Sequence, residues 1–98
     1  MNLTEEEIGF IMASMIGSKF MFLSDIAQGK NDNDTKGSLG VILMILDKLK
    51  NNISGVYAQN IALLHLKEEE NFKKEYGMTS EEIFLSLASK YNNGDQFN

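Results

Sequence analysis

The string KNDNDTKG, residues 30–37, is built from the residue types that make calcium loops. A calcium loop of the helix-loop-helix type needs oxygen ligands at its first, third and fifth positions and a glutamate at its twelfth. Counting from Asp32, the fifth position is Lys36 and the twelfth is Leu43. A cation repels the metal and leucine cannot ligate it. The string therefore predicts a solvated turn between two helices.

His65 is the one histidine, and Glu68 and Glu69 follow it at three- and four-residue spacing. On a helix this spacing places an imidazole and two carboxylates on one face, which is part of a metal site. Metal sites in helical bundles take such ligands from several helices, and the chain has no second histidine and no cysteine. We therefore expect no metal and no cofactor, with His65 at the edge of the core. A metal-binding protein that uses these three side chains is the alternative.

The sequence lacks the arrangements that carry catalysis. Without cysteine no Cys-His pair can form, no serine lies in a nucleophile-elbow setting, and no glycine-rich phosphate loop is present. We expect a protein that is not an enzyme.

Glu69 is followed four residues later by Lys73, an order that favours an ion pair on a solvated helix face.

Lys19 is the single charged residue between positions 8 and 23. Most lysines in such a setting extend along the apolar surface until the ammonium reaches water. The alternative is a buried cation held for an anionic ligand or an acidic partner residue. Lys19 is therefore the candidate ligand-binding residue, and a helical bundle that sequesters a small anion is an alternative function.

The helices that position these residues are marked by caps and by apolar spacing. Thr4 and Thr79 are each followed three residues later by glutamate, as in a capping box. Ser38 is the expected N-cap of the second helix, and Gly77 suits the position just past the third. Proline is absent. The pattern predicts an all-α fold, a small four-helix bundle in which helices 1 and 2 form an antiparallel hairpin.

We expect one domain over residues 1–91 and a disordered tail over residues 92–98. The chain of 98 residues is short for more than one core. The acidic N-terminus is unlike a secretion signal, so a cytoplasmic location is expected. The net charge of −5 and the absence of arginine argue against a nucleic-acid partner. Residues 8–23 are too few, and interrupted by Lys19, for a membrane span.

The first helix is apolar almost all round. Its expected core face carries Ile8, Met15 and Phe22 among others, and a second stripe contains small residues four apart. A helix that is apolar on two sides is buried on more than one side. Together with a similar surplus on the second helix, this predicts a self-association surface formed by Gly9, Phe10, Ala13, Gly17, Phe20, Met21, Val41, Met44 and Ile45.

The sequence thus predicts a small acidic, non-catalytic protein that binds another protein and acts as a homodimer. Small size, acidic charge and a composition rich in lysine and asparagine are typical of regulatory or accessory proteins of bacteria and phages. Which protein it binds is not encoded in any motif.

Overall fold

The computed structural model describes the backbone of residues 2–30 and 32–96, and side chains as far as Ala88. This part of the chain is helical, which confirms the all-α prediction. The helices, in chain order, are α1 (Glu5–Ala27), α2 (Asn33–Leu49), α3 (Gly55–Tyr76) and α4 (Ser80–Gln96), with a short 3-10 turn (Lys50–Asn52) between α2 and α3.

Both predicted capping boxes are present at the starts of α1 and α4. The Glu7 amide donates to Thr4 Oγ1 at 3.1 Å, and the Thr4 amide donates to the Glu7 carboxylate at 2.9 Å. The same exchange joins Glu82 and Thr79 at 3.1 and 3.2 Å. Each box satisfies two of the amides that a helix start leaves without partners. Gly77 ends α3 in the left-handed conformation, with φ of 74°, as predicted.

The start of α2 differs from the prediction. The helix begins at Asn33 instead of after Ser38, because Asp32 is its N-cap and accepts a hydrogen bond from the Thr35 amide at 2.7 Å. Aspartate caps as well as serine does, and Thr35 is buried. The predicted turn over residues 30–37 is therefore wrong in its second half, which is the first turn of α2.

α1 is the central helix of the fold. It packs along α2 on one side and α3 on the other, whereas α4 contacts it only weakly. Ile8 near the start of α1 shares an apolar cluster with Leu49 at the end of α2. Ile26 near the end of α1 shares a second cluster with Leu39 near the start of α2. The start of α1 thus packs against the end of α2, and the end of α1 against the start of α2, so the two helices lie antiparallel.

The resulting body is flat and elongated, with extents of 48 × 30 × 18 Å. Its radius of gyration is 15.0 Å, whereas a compact domain of about 100 residues has about 13 Å. A thickness of 18 Å is less than two helix diameters of about 10–12 Å each. The helices α2, α1 and α3 therefore form a single layer. α4 covers one end of this layer, and a groove along the rest is open to solvent.

The buried face of α1 overlaps the face expected from the sequence but is rotated toward α3. Ile8 is buried as expected, Met15 and Phe22 are only half-buried, and Ile16 is buried in addition. Phe20, predicted to lie on the self-association surface, is only 5% exposed. Its ring meets the rings of His65 and Phe72 edge-on, with centroids 5.6 and 5.8 Å apart. Phe20 is a core residue because α3 packs against that side of α1.

The disordered tail over residues 92–98 remains a prediction. α4 continues to Gln96, but the side chains of residues 92–98 and the backbone of residues 97–98 lie outside the described residues.

The cytoplasmic location also remains a prediction. α1 is long and apolar enough by composition to cross a membrane, although a third of its most apolar stretch is buried inside the fold. A core helix of a soluble protein has the same properties, so this finding places the chain in neither setting.

Candidate functional site

A groove of about 710 Å³ runs between α2 and α3, with α1 as its floor. Because few contacts join α2 to α3, the groove is open to solvent along its length. Aliphatic side chains form most of its surface. They come from all three helices: Met12 and Ile16, Leu43 and Leu46, and Ile61 and Ala62.

Lys19 and His65 face each other in this groove. The Lys19 Nζ lies 2.6 Å from His65 Nε2, so the two side chains share one hydrogen bond between α1 and α3. Lys19 is 7% exposed, and its ammonium lies 5.1 Å from the centroid of the Phe20 ring. A protonated Lys19 donates this bond, which requires His65 to be neutral with its proton on Nδ1.

Glu69 is the carboxylate whose charge acts on the pKa values of both Lys19 and His65, but its hydrogen bonds are made with another residue. Its carboxylate accepts hydrogen bonds from the Ser80 hydroxyl and, at 3.3 Å, from the Ser80 amide. The predicted pairing of Glu69 with Lys73 is replaced by this contact, because the start of α4 folds back onto α3. Glu69 thus caps α4 and leaves the Lys19 ammonium without a direct carboxylate partner.

The pKa values of both groups reflect this setting. Burial lowers the pKa of Lys19, and attraction to Glu69 offsets part of that effect. Burial also lowers the pKa of His65; the nearby Lys19 charge lowers it further, and Glu69 opposes the shift. Two cations at this separation repel each other, so the pair carries at most one positive charge near neutral pH.

Of the other charged residues that line the groove, Asp47 and Lys50 pair with each other, whereas Glu69 is hydrogen-bonded to Ser80 and has no cationic partner in the described part of the chain. Within the described residues the one ion pair joins Lys50 Nζ to the Asp47 carboxylate at 2.7 Å, on the exposed side of α2. Among those same residues no three histidine, cysteine, aspartate or glutamate side chains come together as a metal would require. His65 is bonded to Lys19 and Glu69 to Ser80, so the candidate metal ligands of the sequence are not assembled.

The opposite face of the layer, which we call the outer face, carries the other predicted site. Phe10 is 75% exposed, and Met21, Val41 and Met44 are each more than half exposed. Gly17 is also exposed, with open space where a side chain would project. Of the predicted self-association residues, all except Phe20 are exposed or half-buried.

A second groove, of about 850 Å³, indents the outer face between α1 and α3. Gly9, Phe10 and Ala13 line it from α1, and Tyr57 and Leu64 from α3. A β-carbon at Gly9 would lie 4.0 Å from the Tyr57 ring, which is an ordinary van der Waals contact, so the approach of the two helices does not depend on glycine. The sequence analysis missed the contribution of α3, because all the residues predicted for the self-association surface belong to the first two helices.

No protein-family model, no curated protein and no solved structure matches this chain. Function is therefore inferred from its own residues.

Proposed function

We propose that the protein is a non-catalytic interaction protein that acts as a homodimer, with the outer face as the surface on which two copies meet. The observation that carries this proposal is the row of exposed large apolar side chains on that face, Phe10, Met21, Val41 and Met44. Contiguous apolar patches on soluble proteins usually mark interaction surfaces.

The charge of the outer face favours a second copy as the occupant. Between Ile8 and Asp25 the α1 sequence has one charged residue, Lys19, and that residue is turned into the groove on the other side. Apart from Glu6 and Glu7, which line the outer groove at the start of α1, the α1 part of this face offers no charge that would select a charged partner. A two-fold axis would place this face against itself, as a self-complementary contact requires.

The dimensions of the outer face suit such a contact. α1 has 23 residues and is about 34 Å long at 1.5 Å per residue, and two adjacent helices are about 20 Å wide. A stable interface buries about 800 Å² on each partner, which is close to the area of this face. Phe10 of one copy would enter the outer groove of the other. The paired α1–α2 hairpins would then form the four-helix bundle that the sequence predicts within one chain.

Light scattering coupled to gel filtration tests this proposal through Gly17→Leu. The new side chain projects into open space in the single chain, so it leaves the monomer folded and separates the two copies. We expect the wild type to have about twice the monomer mass of 11.0 kDa and Gly17→Leu to be monomeric with unchanged helicity.

Ala62→Leu is the matched control, because Ala62 is also a small exposed residue but lines the groove on the other side of α1. A leucine there leaves the outer face unchanged. This variant should keep the dimer mass. A wild-type mass near 11.0 kDa at tens of micromolar would contradict the proposal.

A further inference from the structure

We propose that the groove between α2 and α3 binds a small amphiphile with one carboxylate head, with the head held by Lys19 and His65 and the aliphatic chain along the groove floor. This site is on the opposite side of α1 from the outer face and does not depend on the dimer. The groove volume of about 710 Å³ falls within the roughly 300–1,000 Å³ of small-molecule sites.

Lys19 determines which head group fits the groove, because it is the one lysine of the groove that has no carboxylate partner among the described residues. Lys50 is neutralised by Asp47 and Glu69 is bonded to Ser80, whereas Lys19 has only the neutral His65 as a hydrogen-bond partner. A buried cation is costly unless an anion accompanies it. A carboxylate of the ligand would accept a hydrogen bond from the Lys19 ammonium. It would accept a second from His65 Nε2 when the neutral imidazole carries its proton on that nitrogen.

A single carboxylate suits this site better than a phosphate. One ammonium balances one negative charge, and the neighbouring Glu69 would repel a second. Phosphate sites ordinarily use arginine or the free amides of a helix start. Arginine is absent from the chain, and Lys19 and His65 both lie in the middle of their helices, where the amides are already bonded.

The apolar body of the ligand is specified by the rest of the groove. Met12 and Ile16 extend the floor away from Lys19 toward the start of α1, and Ile53 and Ala58 continue the lining at that end. From His65, which faces Lys19, to Ala58 the α3 wall is about 10 Å long at 1.5 Å per residue, and Ile53 extends the lining beyond it. An extended aliphatic chain with its head at Lys19 covers this surface and removes it from water.

Calorimetric titration with dodecanoate below its micelle concentration tests the proposal. We expect saturable binding of one dodecanoate per chain, and at least tenfold weaker binding of dodecyltrimethylammonium, which has the same chain and the opposite charge. Lys19→Met keeps the length and apolar stem of the side chain. It should weaken dodecanoate binding by about tenfold or more, as the loss of a charged hydrogen bond does.

Two further variants separate this groove from other apolar surface. Ala62→Trp should abolish binding, because Ala62 is an exposed residue of the groove wall and a tryptophan there fills the groove without disturbing the core. Gly17→Leu, on the outer face, should bind dodecanoate as the wild type does. Lys73→Met, which removes an exposed lysine of α3 that lines neither groove, should change the affinity less than threefold.

The proposal would be overturned by an absence of saturable dodecanoate binding, by equal binding of the cationic detergent, or by unchanged affinity in Lys19→Met. Loss of binding in Gly17→Leu but not in Ala62→Trp would place the ligand on the outer face and overturn it as well. None of these outcomes depends on the mass of the protein in solution, so the dimer and the ligand site stand or fall separately.

Discussion

At the scale of single residues, the contact between Lys19 and His65 is the feature with the most chemical content. A lysine in the core costs stability because its ammonium is removed from water, and the chain places no carboxylate against it. Buried charges of this kind are tolerated at functional sites, where stability is exchanged for binding. We therefore propose that the pair serves a ligand and not folding.

Lys19→Met is expected to stabilise the protein while it weakens the groove as a carboxylate site. Methionine keeps the apolar contacts with Phe20 and removes a buried charge whose transfer from water is costly, so we expect the free energy of unfolding to rise by roughly 1 kcal/mol. For a chain of this size that raises the Tm by about 4–8 °C per kcal/mol. Thermal unfolding followed by circular dichroism measures the change. Lys50→Met, on the surface, should alter the Tm little, and a lower Tm in Lys19→Met would show that the ammonium is stabilising.

His65 should make the stability depend on pH. In the unfolded chain its pKa is about 6.5, whereas burial and Lys19 lower the pKa in the folded protein. Between these two values the unfolded chain binds more protons, so the free energy of unfolding falls as the pH drops below about 6.5. It should be constant above that value as far as His65 is concerned.

Urea unfolding at a series of pH values from 8 to 5 measures this effect. His65→Gln is the control. His65 is the only histidine of the chain, so this variant removes the one side chain that ordinarily titrates in this range. The difference between the two curves isolates His65. If His65→Gln loses stability between pH 7 and 5 as steeply as the wild type, the histidine is not the cause.

At the scale of elements, local signals located the helices well where a strong cap was present. Thr4 and Thr79 begin helices as their spacing with the following glutamates predicts. The start of α2 was placed too late because two residue types that cap equally well, Asp32 and Ser38, compete within one turn-rich string. Burial of Thr35 decides between them, and burial is not a local property.

Asp32→Ala should therefore destabilise the protein by about 1 kcal/mol, the usual cost of losing an N-cap, and Ser38→Ala should not. Ser38 is exposed inside α2, where alanine has the higher helix propensity, so Ser38→Ala should be neutral or slightly stabilising. Chemical denaturation of both variants gives the two free energies. A larger loss for Ser38→Ala would place the start of α2 where the sequence predicted it.

The capping role of Asp32 also has a pH signature. Hydrogen bonds from the Thr35 amide lower the pKa of Asp32, so its contribution is present above the ordinary aspartate pKa of about 3.9. That contribution is lost as the pH falls through the lowered value, where the folded-state carboxylate takes up its proton. In Asp32→Ala this part of the acid sensitivity should disappear.

At the scale of the whole molecule, the flat layer has two apolar sides, and each has its own proposed occupant. The outer face is broad and, beyond Glu6 and Glu7 at one end of its groove, carries no charge along α1, which suits a second copy. The groove is narrow and contains one buried cation, which suits a small anion. One helix, α1, supplies the centre of both surfaces, and this is why its sequence is apolar almost all round.

The melting temperature should rise with protein concentration if the dimer forms. Association with a second folded copy stabilises the folded state by mass action, and the effect grows with concentration. Gly17→Leu should melt at one temperature over the same range, whereas Ala62→Leu, on the groove side of α1, should behave as the wild type does. A concentration-independent Tm for the wild type would mean that the outer face is exposed in solution.

The sequence by itself determined the helical class, both capping boxes, the end of α3 at Gly77 and the apolar surplus of α1. These are local properties, set by hydrogen bonds and side chains within a few residues of each other. Only the tertiary structure decided which side of α1 is core, that Phe20 packs against Phe72, and that Lys19 meets His65 across 46 positions of sequence. The physical reason is that a helix apolar on several sides has no preferred orientation of its own. Its neighbours choose the buried face, and that choice depends on contacts between residues far apart in the chain.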